Sequence, residues 1–87
     1  MAGTKPIRFT DHACFEMLRR GIQEADVNAV IRSPDQVLSS HNGRVIYQTK
    51  IAEGERLLRV VVKEDGSGYD IITVYETSRI AKYWKPL

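Results

Sequence analysis

The chain has 87 residues, 43% of them hydrophobic and 28% charged, and a formal net charge of +2. This composition favours neither a disordered chain nor a membrane class. No apolar run approaches the ~20 residues needed to span a bilayer, and no apolar signal segment opens the sequence.

A single cysteine, Cys14, cannot form an internal disulfide and lacks the neighbours of a metal site. The expectation is one domain over residues 1–87, in a reducing, cytoplasmic setting, with no cofactor, no metal and no membrane partner. The slight positive charge permits contact with nucleic acid without requiring it.

In chain order, residues 10–32 read as a helical pair. Thr10 or Asp11 can cap the first helix, running from about Asp11 to Arg20, and Gly21 can end it. At 100° per residue Ala13, Cys14, Met17 and Leu18 share one side, and His12, Glu16, Arg19 and Arg20 share the other. The second helix runs from about Gln23 or Glu24 to Arg32, with Val27, Val30 and Ile31 at helical spacing. Ser33-Pro34 stops it, because proline disfavours a helical residue before it.

After Pro34 the period changes, and residues 36–76 read as an antiparallel meander. Gln36 to Ser40 is a weak strand, and Asn42-Gly43 supplies positive φ for a hairpin turn. Val45 to Ile51 alternates, Glu53-Gly54-Glu55 turns, and Arg56 to Lys63 is a valine-rich strand. Asp65-Gly66-Ser67-Gly68 turns again into a last strand, Tyr69 to Glu76, and residues 77–87 form a tail expected to dock on the core. The fold class expected is α+β: two N-terminal helices on one face of an antiparallel sheet of three to four strands. The interior expected is Ala13, Met17, Leu18, Val27, Val30, Ile31, Leu58, Val60, Val62, Ile72 and Val74, with Cys14 as a further small buried hydrophobe.

Strand alternation brings Arg59 near Thr73 and Tyr75, with Tyr47 one strand over. A guanidinium beside hydroxyls can hold a phosphate. His12 carries an imidazole, the side chain best suited to proton transfer at neutral pH. Together these supply what metal-independent RNA cleavage needs: His12 as general base or acid, Arg59 with Arg20 for phosphate charge, and Tyr75 with Thr73 to position the scissile group. Each residue also has a packing reading. His12 can cap or pack, Arg59 can lie on a solvated strand, and Tyr47 and Tyr75 can form a cross-strand pair. The competing expectation is a non-catalytic interaction module, antitoxin-like or nucleic-acid-binding. It would make contact through the open sheet face, an edge strand and the Ile80-Tyr83-Trp84 tail.

The pattern Phe9-Thr10-x-His12-Ala13, Met17-x-x-Arg20-Gly21-Ile22, Val30-Ile31-x-x-Pro34, Leu58-Arg59-Val60-Val61-Val62 and Ile72-Thr73-Val74-Tyr75 resembles the small prokaryotic family called domain of unknown function 4258. The resemblance covers about Pro6 to Tyr75. Its helix–helix–sheet order is similar to the barnase, colicin and RelE-type ribonuclease superfamily. It implies a toxin-like or RNA-processing protein, with RNA, a ribosome or a cognate protein as partner. The family's recurring polar positions fall on His12, Arg20, Arg59, Thr73 and Tyr75.

Overall fold

In the computed structural model, which describes residues 5–86, the Thr10 hydroxyl accepts a hydrogen bond from the Ala13 N–H at 3.1 Å. It thereby caps helix α1 (Asp11–Arg20), and Gly21, at φ 71°, closes that helix in the left-handed conformation. Before helix α2 (Glu24–Arg32) the Gln23 N–H donates to the Asp26 carboxylate at 3.0 Å, and Ser33-Pro34 follows its last turn. These boundaries are those the sequence predicts. Among the described residues no helix is long and apolar enough to cross a membrane.

The strands are β1 (Ile7–Phe9), β2 (Gln36–Ser39), β3 (Val45–Ile51), β4 (Arg56–Asp65) and β5 (Gly68–Thr77), followed by a short helix α3 (Ile80–Tyr83). They form one sheet in the order β1-β5-β4-β3-β2. From β2 to β5 the chain is the expected antiparallel meander, and Asn42 does take positive φ, at 58°, before Gly43 at 72°. Strand β1 is a correction. It pairs parallel with β5, Ile7 opposite Tyr69 and Phe9 opposite Ile71, so the sheet is mixed and five-stranded rather than antiparallel with three or four strands. Three residues show no period, and their partner strand lies at the far end of the chain.

Helix α1 packs on β5, and α2 packs on β3 and β4. Beneath them Met17, Val27, Val30, Ile31, Tyr47, Leu58, Val60, Val62, Ile71 and Val74 form the core. Three residues expected in the interior, Cys14, Leu18 and Ile72, are misplaced. Leu18 is 85% exposed, because α1 turns Ala13, Glu16 and Met17 inward and leaves Cys14, Phe15 and Leu18 in solvent. Thr10 sets that rotation: its hydroxyl donates to the Ile71 carbonyl at 2.8 Å, and its N–H reaches the same oxygen at 3.2 Å.

Ile72 is the third. Val61 pairs with Thr73 and Val62 with Ile71, so Ile72 is the extra residue of a β-bulge and has no partner opposite. The bulge reverses the alternation of β5, placing Ile71 in the core and leaving Ile72 half-buried.

Candidate functional site

The sheet face turned away from α1 and α2 is built from the alternate residues of each strand. Strand register aligns them in rows. Leu38, Ile46, Val61 and Thr73 make one row, and Gln36, Gln48, Arg59 and Tyr75 make the next. The second row is joined by hydrogen bonds across four strands. Gln48 Nε2 donates to Gln36 Oε1 at 2.7 Å, Arg59 Nε donates to Gln48 Oε1 at 2.8 Å, and Arg59 Nη1 donates to the Tyr75 hydroxyl at 2.5 Å.

Arg59 is 5% exposed and Gln48 is fully buried. Among the described residues no carboxylate pairs with Arg59. A buried charge without a counter-ion is costly, and stays buried only where dipoles or π-faces replace water. Here they are the Gln48 amide oxygen, the Tyr75 hydroxyl and two rings, with the guanidinium carbon 4.1 Å from the Tyr83 centroid and 5.6 Å from that of Tyr75.

Tyr83 comes from the C-terminal segment, which crosses this face. Its carbonyl accepts from Gln48 Nε2 at 3.1 Å, and the Gln36 amide bonds both the N–H and the C=O of Lys85. Beside them Lys50 Nζ lies 4.2 Å over the Trp84 ring. Asp35, Gln36, Lys50 and Trp84 line an open pocket of about 400 Å³. The site thus combines one buried guanidinium, the exposed amines of Lys50, Lys82 and Lys85, and the rings of Tyr75, Tyr83 and Trp84.

Three of the residues singled out in the sequence share this face: Arg59, Thr73 and Tyr75. Three do not. Tyr47 sits opposite Val60 and points into the helix-side core, where its hydroxyl donates to Glu64. Burial, reinforced by that carboxylate, pushes its phenol pKa up. His12 is exposed on α1, across the sheet from Arg59, so the two do not meet in one cleft. Arg20 is also on α1, its Nε 2.9 Å from Glu16 Oε1.

Arg19 binds the same Glu16 carboxylate, Nη2 to Oε1 at 2.8 Å. Hydrogen bonds from Arg19 first and Arg20 second hold the Glu16 carboxyl down to about 2, against an ordinary 4.5. A depressed folded-state value means that the pair contributes stability at and above the ordinary carboxylate range. That contribution is lost as pH falls toward 2. A carbon-13 titration of the Glu16 carboxyl should find its midpoint near 2 and, in R19A/R20A, a return toward the ordinary value. An unshifted midpoint in the wild type would contradict the pairing.

Sequence reasoning missed Gln36 and Gln48, and it named Tyr83 only within the contact tail, not beside Arg59. The turn at Glu53-Gly54 held the missing signal. Pairing Ile51 with Arg56 across it places Gln48, not Tyr47, opposite Arg59. The placement of Tyr83 over Arg59 carried no such signal, since an aromatic tail residue can settle on any exposed apolar or cationic surface.

A family model described as Domain of unknown function (DUF4258) matches residues 9–76. That span includes Gln36, Gln48, Arg59 and Tyr75 and stops short of Tyr83 and Trp84. No curated protein and no solved structure matches the chain.

Proposed function

The chain belongs to the domain of unknown function 4258 family, and on that premise we propose that it is a binding module for single-stranded RNA, with Arg59 as its phosphate anchor. The observation that carries this reading is the buried guanidinium of Arg59, oriented by Gln48 and Tyr75 and without a carboxylate partner among the described residues. A fixed guanidinium matches the paired oxygens of a phosphate, and the Lys50 amine and the Tyr75 ring on the same face suit a strand of phosphates and stackable bases.

Binding is favoured over cleavage because the groups do not converge. Both histidines lie elsewhere, His12 on α1 and His41 in the β2–β3 turn. A general acid–base group must come within hydrogen-bond reach of the proton it moves.

The test is fluorescence anisotropy with a labelled single-stranded oligoribonucleotide across a salt series. Arg59→Gln should weaken binding by roughly 10-fold or more and flatten the salt slope by about 0.7, the share of one phosphate contact on a single strand. Arg59→Lys should fall between, because it keeps the charge and loses the fork. His12→Ala should bind as the wild type does. No binding by the folded wild type, or equal binding by a folded Arg59→Gln, would contradict the proposal.

A further inference from the structure

We propose that residues 79–86 are an autoinhibitory strap, occupying the polar row and the lysine beside it, and that single-stranded RNA binds by displacing them. This rests on the RNA reading of the same face and adds its regulation. The strap takes the positions a nucleic acid would need. The Tyr83 ring covers the Arg59 guanidinium at 4.1 Å, and the Trp84 ring takes the Lys50 amine at 4.2 Å. These are a base-like π-face on each cation.

The backbone contacts are equally generic. Gln36 binds both the N–H and the C=O of Lys85, and Gln48 binds the Tyr83 carbonyl. Side-chain amides gripping a main chain hold a segment without fixing its sequence, and water or another ligand can replace them.

The segment is also lightly built. Helix α3 is four residues long, its N-cap Arg79 makes no side-chain capping bond, and Tyr83 and Trp84 are only partly buried. Arg59 and both glutamines lie within the family match, whereas 79–86 lie beyond it.

Trp84 is the single tryptophan of the chain, so its emission reports the strap. The full-length protein is titrated with a single-stranded oligoribonucleotide while Trp84 quenching by acrylamide is followed. Tyr83→Ala, which removes the ring over Arg59 and leaves the polar row intact, is compared with the wild type. Lys85→Pro, which deletes the N–H donor and leaves the row intact, is a second release variant, and thermal melts establish that each is folded.

RNA should expose Trp84 to the quencher in the wild type. Each release variant should show an exposed Trp84 without RNA and bind RNA about 10-fold tighter, because apparent affinity scales with the fraction already open. RNA binding with Trp84 still protected, and with no gain in either variant, would overturn the strap while leaving the RNA reading standing. Absence of RNA binding in all three proteins would overturn both.

Discussion

Truncating Ile71 to alanine should destabilise the protein by roughly 2–5 kcal/mol, the usual range for a fully buried isoleucine. The same change at Ile72 should cost less than about 1 kcal/mol, since a half-buried side chain leaves little cavity behind. Ile71 is 0% exposed and lies among the side chains between the helices and the sheet. A domain of this size has roughly 5–15 kcal/mol of total stability, so the first variant should unfold at a visibly lower denaturant concentration. The contrast tests the bulge itself. Unbroken alternation outward from Val74 would have put Ile72 inside, so a larger loss for Ile72→Ala in urea melts would contradict the register of β5.

Gly68→Ala should cost roughly 2–4 kcal/mol, combining a strained backbone with a lost interstrand bond. Gly68 starts β5 at φ 149°, and a Cβ built there meets the Pro6 carbonyl oxygen at 2.5 Å. That oxygen accepts the Tyr69 N–H at 2.9 Å, the bond that ties the chain before β1 to β5. A methyl group must push the two apart, so β1 should be the first element to lose amide protection in hydrogen exchange. Gly66, with nothing within 4 Å of its Cβ position and no positive φ, should tolerate alanine to within about 0.5 kcal/mol. Equal effects at the two glycines would refute the close approach.

The elements legible in the sequence are those set by local chemistry. Thr10 and Gly21 mark the ends of α1 because capping acts over one turn of chain, and the stop at Pro34 is equally local. The valine-rich β4 follows from side-chain shape. What stayed hidden depends on partners far along the chain. Strand β1 exists because β5 offers it an edge, and the inward turn of Ile71 follows from a bulge that no composition announces. Leu18 shows the same limit on a helix. Period alone permits two neighbouring stripes, and the Thr10 bonds to the Ile71 carbonyl select the one that exposes it.

The candidate site divides along the same line. Arg59, Thr73 and Tyr75 share a face because strand alternation is local, so the sequence brings them together. Tyr47 fails by one residue of register, and a slip of one exchanges every side chain between faces. His12 was joined to Arg59 by chemistry alone. The side of the sheet that α1 covers is a tertiary fact, and it separates them.

The most direct test is a nitrogen-15 NMR titration of the full-length protein with a short single-stranded oligoribonucleotide. The account predicts shifts concentrated at Gln48, Arg59, Tyr75 and the Trp84 indole, with the amides of α1 from Asp11 to Arg20 unmoved. Shifts centred on His12 and α1, with the Gln36–Gln48–Arg59–Tyr75 row silent, would contradict it.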